Sequence, residues 1–280
     1  MCVTCGCSDD AESTITNLET GEVEHNHHDH THTLPDGTVI THSHHEPSQV
    51  HAKIHNTTIS LEQDILAKNN LLAAQNRGWF KGRNILALNL MSSPGSGKTT
   101  LLTRTIHDLK DQLPISVIEG DQETANDARK IQETGCKVVQ INTGTGCHLE
   151  ASMIDRGLQQ LNPPLNSVVM IENVGNLVCP ALFDLGEQAK VVILSVTEGE
   201  DKPIKYPHIF CASNIMILTK VDLLPYVQFD VQKCLDYARQ VNPQIQIFQV
   251  SATTGVGLAA WYEWLTTMVG NLSLPGAGEG

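Results

Sequence analysis

The sequence predicts an α/β domain built on a mainly parallel sheet flanked by helices, with a disordered Cys- and His-rich tail ahead of it. Three observations predict it. From Ile85 onward, short β-branched or apolar runs alternate with helical patterns, which requires crossover connections and a sheet covered on both faces. A Gly-rich turn stands between the first such run and the first such helix. The opening stretch is rich in His, Thr, Asp and Glu and nearly free of apolar runs, so it cannot bury a core of its own. At 280 residues the chain accommodates a flexible metal-binding tail over 1–59 and one domain, with an amino-terminal helix, over 60–280.

Taken in order, Ser60-Leu61-Glu62-Gln63 offers a helix cap, and Leu61, Ile65, Leu66 and Leu72 form a helical stripe ending near Gly78. This helix joins the tail to the domain or lies in an interface. Strands are predicted at Ile85 to Met91, Ile115 to Ile118, Lys137 to Ile141, Ser167 to Ile171, Val191 to Val196, Ile215 to Leu218 and Gln246 to Val250. Amphipathic spacing predicts helices at Thr100 to Gln112, Glu123 to Thr134, Leu149 to Leu161, Val231 to Val241 and Leu258 to Val269. Parallel sheets of this kind bind ligands at the carboxyl ends of their strands.

The net charge of −13 argues against nucleic acid as a partner, because gripping a phosphodiester backbone takes Lys and Arg to replace its counterions. The acidity suits a chain that gathers divalent cations, and equally one that uses it for solubility. No stretch approaches the twenty or so apolar residues of a membrane span, and MCVTCGCSDD lacks the basic region and apolar core of a secretion signal. A cytoplasmic protein is therefore expected. There, eight cysteines read as metal ligands or buried thiols rather than disulfides.

The most informative segment is Ser92-Ser93-Pro94-Gly95-Ser96-Gly97-Lys98-Thr99-Thr100, between the strand ending at Met91 and the helix that follows. Strand, Gly-rich turn and helix is the setting of the P-loop, GxxxxGK[ST], with Ser92 in place of the first glycine. Gly95, Ser96 and Gly97 let backbone N–H groups converge on phosphate oxygens at a helix amino terminus, Lys98 neutralises the β and γ phosphates, and Thr99 offers Mg²⁺ a hydroxyl. Asp121 and Glu172 follow apolar strands, so each emerges at the phosphate edge of the sheet. Either holds Mg²⁺ or its waters, or is a solvated strand end. Glu172-Asn173-Val174-Gly175 has the shape of a switch loop, with the Gly175 N–H directed at a γ-phosphate.

Thr219-Lys220-Val221-Asp222 and Ser251-Ala252-Thr253 each follow a strand and look like the guanine-specificity and fifth motifs of GTPases. Asp222 would accept from the two N–H donors on guanine's edge, which favours GTP over ATP because the wrong base leaves buried polar groups unpaired. Lys220 would lie over the ring, while Thr219 replaces the usual Asn. No water-positioning Gln or arginine finger can be assigned, so hydrolysis is expected to be slow and switch-like.

Gly146-Cys147-His148-Leu149 and Cys179 belong to the same sheet edge. Thiolate with imidazole suits Zn²⁺ or Ni²⁺; two buried cysteines and a capping histidine are the plainer alternative. If metal binds, a fourth ligand must come from water, a carboxylate or a second subunit, which points to a nucleotide-controlled dimer. Cys2, Cys5 and Cys7 form CxxCxC, suited to one soft or borderline cation or to redox sensing. The tract from His25 to His45 is a compositional metal-binding signal only.

Together MCVTCGC, LNLMSSPGSGKTTLL, VIEGDQET, NTGTGCHLEA, IENVGNLVCP, SVTEGEDKPIKYP and KVDLLP make the chain resemble the HypB family, the hydrogenase nickel-incorporation GTPases. The resemblance covers the first seven residues and nearly everything from Ser60 onward. It implies a P-loop GTPase fold of the SIMIBI type, nickel at Cys2, Cys5 and Cys7, and nickel or zinc at Cys147, His148 and Cys179. It also implies Mg²⁺ near Thr99, Asp121 and Glu172, a homodimer promoted by GTP or metal, a partner like the metallochaperone HypA, and delivery to the hydrogenase large subunit. Urease-type nickel GTPases share the P-loop but lack the GCHLEA and NLVCP segments; a passive nickel store would need the His tract alone.

Overall fold

The structure, a computed structural model, describes residues 14–16, 23–25, 30–33, 39–42, 49–121, 126–144 and 146–272, with side chains from 65 onward. Cys2, Cys5 and Cys7 lie outside the described residues. The chain divides into two units, Met1–Ile65 and Leu66–Gly280.

In the first unit, β1 (Thr14–Thr16) pairs antiparallel with β2 (Val23–His25), and β3 (His30–Thr33) with β4 (Val39–His42). The ladders are three and four residues long. Helix α1 runs from Gln49 to Gly82. It begins well before the expected cap, Ser60 lies inside it, and its stripe differs from the expected one. Ile65 and Leu71 are exposed, whereas Asn69, Ala73, Asn76 and Phe80 are buried in the second unit. Two of those four are polar, which hides the stripe from a hydrophobic pattern.

The second unit holds β5 (Leu86–Ser92), α2 (Lys98–Leu109), β6 (Ile115–Asp121), α3 (Asn126–Gln132), β7 (Lys137–Asn142), α4 (Ala151–Leu161) and β8 (Val168–Glu172). Then follow α5 (Cys179–Leu182), β9 (Ala189–Ser195), α6 (Lys202–Lys205), α7 (Pro207–Ala212), β10 (Ile215–Thr219), α8 (Val231–Val241), β11 (Gln246–Gln249) and α9 (Leu258–Leu272). The seven strands pair in parallel in the order β11-β10-β9-β5-β8-β6-β7. All seven predicted strands are present, with ends shifted by up to two residues except in β6, which runs three residues further than expected, to Asp121. Helices α5 to α7 were not predicted, being four to six residues long with Pro in the first turn, too short for a periodic signal.

Alternation along β5 distributes the core over both faces. Leu86, Leu88 and Leu90 pack with α2 and with Trp261 and Leu265 of α9. Ile85 and Ala87 face Phe80 of α1 and Ile154 and Leu158 of α4. Met91 joins Val192, Leu194 and Met216 under α7 and α8. Burial of this kind is worth about 25 cal/mol per Å² of apolar surface, and it holds the carboxyl ends of β10, β9, β5, β8 and β6 side by side. Among the described residues no helix is long and apolar enough to cross a membrane.

Candidate functional site

A cavity of about 470 Å³ opens at those strand ends. Its floor is the turn between β5 and α2. Gly95 and Gly97 have φ of 77° and 90°, a left-handed backbone that glycine alone adopts without penalty, and Gly97 caps α2. Ser92 ends β5 in buried, extended backbone, which is why a serine is accepted where the motif usually has glycine. Every residue from Ser92 to Thr100 lines the cavity.

Glu172, the last residue of β8 and 2% exposed, meets this floor. Its Oε1 accepts from Thr99 Oγ1 at 2.6 Å and lies 3.4 Å from Lys98 Nζ. Lys98 also donates to the Asn173 carbonyl. Gly175 lines the cavity too, and a Cβ there would meet Pro94 at 3.1 Å, so a side chain at this point would crowd the P-loop against which the loop after β8 closes. Asp121, half-buried, lines the cavity as well, as does Asp127.

Thr219, 3% exposed, donates from Oγ1 to the Ser96 carbonyl at 2.6 Å, supplying from a hydroxyl a contact between the base motif and the P-loop. Lys220 lines the cavity and donates to the Gly95 carbonyl at 2.7 Å. Asp222 lies in a 3₁₀ turn, Val221–Tyr226, after β10. Ser251 is buried after β11, and the Ala252 carbonyl accepts from Arg104 of α2 at 2.9 Å. These three residues lie outside the lining of the cavity.

Beyond Glu172 the same loop reaches the sulfur cluster. Cys179 opens α5, and its Sγ lies 2.9 Å from Cys147 Sγ, which is 3.6 Å from His148 Nδ1. One ligand atom from each of the three residues falls within 4.8 Å of the others. His148 stacks on Phe183 at 3.9 Å. Its Nε2 is buried without a hydrogen bond, 3.8 Å from Glu150 Oε1. Burial holds the imidazole pKa below its ordinary value, against a smaller opposite pull from Glu150, so the ring is in the neutral form that ligates metal. Two sulfurs and a neutral imidazole with an orphaned nitrogen suit Zn²⁺ or Ni²⁺. By contrast Cys136 and Cys234, elsewhere in the domain, have thiols pushed up to about 12 chiefly by burial, and remain inert.

Sequence reasoning missed two residues here. Asn173, 1% exposed, ties the cavity to the sulfur cluster: its Oδ1 accepts from Leu149 N at 3.2 Å and Val174 N at 3.0 Å, and its Nδ2 donates to Asn89 Oδ1 at 3.1 Å. Glu119, two residues before the end of β6, lines the cavity and is 2% exposed. Burial, then the charges of Glu172 and Asp121, push its carboxyl up to about 8. An ionisable residue on the same face of β6 as Val117 was the available signal, since such positions are usually apolar.

A family model for the CobW/HypB/UreG nucleotide-binding domain matches residues 86–249. The chain is 59% identical over 209 residues to the hydrogenase maturation factor HypB of Escherichia coli K12, covering 75% of this chain and 72% of that one. The crystal structure of HypB from Archaeoglobus fulgidus is similar at a TM-score of 0.68 and 38% identity, covering 73% of this chain and all of that one. HypB from Helicobacter pylori, solved in complex with nickel, is similar at a TM-score of 0.68 and 35% identity, covering 75% of this chain and all of that one. Identity of this order over most of both sequences, on a matching fold, leaves one conclusion: the chain belongs to the HypB family of hydrogenase maturation factors.

Proposed function

We propose that this chain is a slow, switch-type GTPase that binds nickel and delivers it during maturation of [NiFe]-hydrogenase. The observation that carries the reading is the single segment from Glu172 to Cys179, which contacts Lys98 and Thr99 at one end and brings Cys179 to Cys147 at the other. A segment with two partners of this kind lets phosphate state and metal occupancy bias one another. The nickel-bound Helicobacter pylori relative supports nickel as the cargo.

In this reading Gly95 to Thr100 cradle the phosphates, Lys98 neutralises charge, and Gly175 meets the γ-phosphate. Thr99, Asp121 and Glu172 serve Mg²⁺. Lys220, Asp222, Ser251 and Ala252 surround guanine once nucleotide draws the motifs together. Cys147, His148 and Cys179 hold nickel or zinc, with Cys2, Cys5 and Cys7 as a second nickel site. A homodimer promoted by GTP or metal completes the internal site. The partners are a HypA-like metallochaperone and the hydrogenase large subunit, in the cytoplasm.

The test compares GTP turnover and nickel stoichiometry in the wild type and in Cys147→Ala/Cys179→Ala. The expected result is loss of the internal nickel with an altered turnover. If neither quantity moves, the cluster has no part in the function; nickel binding without any GTP turnover in the wild type would mark a nickel store instead.

A further inference from the structure

The cavity holds more carboxyl groups than the roles above use. Strands β6 and β8 pair in register with Glu119 opposite Glu172, so two carboxylates, each 2% exposed, come off neighbouring strands under the P-loop. Asp121 follows on the same face of β6 and lines the same cavity. The Lys98 ammonium is engaged by Glu172 and the Asn173 carbonyl. One oxygen of each glutamate, Oε2 in both cases, is buried and accepts no hydrogen bond. Orphaned carboxylate oxygens at such depth are costly, and persist where something outside the polypeptide uses them. Carboxylates that face phosphates across a cavity suit a hydrated divalent cation, since Mg²⁺ sheds water reluctantly and binds through one or two carboxylates while others hold its waters.

We propose that Glu119 is a further residue of the Mg²⁺ site, a positioning residue whose free oxygen accepts from the water shell of the cation held at Thr99 and Glu172. The inference rests on the reading of the cavity as a nucleotide–Mg²⁺ pocket and adds to it a residue from the interior of β6. Removing a partner from the outer shell of a metal typically costs 10–100-fold in metal affinity. The alternative is a carboxylic acid that merely fills the floor of the cavity, for which a glutamine of the same shape would do as well.

The experiment uses the full chain loaded with GDP and titrates Mn²⁺, a paramagnetic stand-in, following the free-ion resonance. A parallel measurement in EDTA gives GDP affinity without metal. Glu119→Gln is expected to raise the Mn²⁺ dissociation constant about tenfold or more, with GDP affinity in EDTA unchanged. An unchanged Mn²⁺ constant overturns the proposal, and so does a loss of GDP affinity in EDTA as large as the loss of Mn²⁺ affinity, because that pattern belongs to a residue shaping the P-loop. Should the Gln variant fail to fold, Glu119→Asp, which sets the same carboxyl group back by one methylene, is measured in its place: a weaker Mn²⁺ site supports the role and an unchanged one refutes it. A wild-type chain that takes up no GDP overturns the nucleotide reading as a whole, whereas normal uptake with an indifferent variant overturns only the part given to Glu119.

Discussion

Asn173→Ala cuts the tie between the phosphate cavity and the sulfur cluster without touching a proposed ligand. The substitution leaves the N–H groups of Leu149 and Val174 without their acceptor and Asn89 Oδ1 without its donor. All four residues are buried. A buried group deprived of its partner costs about 1–3 kcal/mol. Three such groups in one network are not additive, so a loss of roughly 3–5 kcal/mol follows from the same range. For a domain of this size each kcal/mol lowers the melting temperature by about 2–4 °C, which predicts a fall on the order of 6–20 °C by thermal circular dichroism. The variant should also bind metal more weakly at Cys147 and His148, whose strand exit is anchored through Leu149. A double-mutant cycle with Asn89→Ala tests the bond directly: the two losses should sum to more than the double variant shows, by about 0.5–3 kcal/mol. A melting temperature that moves by less than about 2 °C, or strict additivity, would refute the view of Asn173 as the joint of this network.

Two further outcomes follow. Thr219→Val keeps the volume but removes the hydroxyl that binds the Ser96 carbonyl; the unpaired carbonyl costs about 1–3 kcal/mol, so nucleotide affinity by calorimetry should weaken about tenfold, one decade per 1.4 kcal/mol, and equal affinity would show that the P-loop does not depend on this bond. The Glu119 carboxyl, raised from 4.5 to about 8 chiefly by burial, keeps its proton in the folded chain where the unfolded chain has lost it. Its contribution is therefore complete below pH 4.5 and is lost as pH rises towards 8, at up to about 1.4 kcal/mol per pH unit. Urea unfolding of the metal-free chain should show the wild type losing stability relative to Glu119→Gln across that window, and parallel pH profiles would contradict the shift.

What could be read from the residues alone was whatever depends on near neighbours. Alternation of apolar runs and helical spacing placed all seven strands of the sheet, and the glycines at 95 and 97 announced a left-handed turn between a strand and a helix because only glycine takes that backbone freely. The family, too, was legible in contiguous segments such as GSGKTT and GCHLEA. Contacts that join distant parts of the chain were not. The stripe of α1 escaped notice because Asn69 and Asn76 are buried by hydrogen bonds to Asp184, Leu185 and Ala151, partners that no periodicity in the helix reveals. The same holds for Thr219, whose hydroxyl finds its acceptor 123 residues earlier, and for Asn173 and Glu119. A hydrophobic pattern is a property of one segment, whereas a satisfied or orphaned polar atom is defined by what the fold brings against it; the approach of Cys147 to Cys179, 32 residues apart in the chain and 2.9 Å apart in space, is decided by where the loop after β8 carries Cys179 relative to the segment after β7.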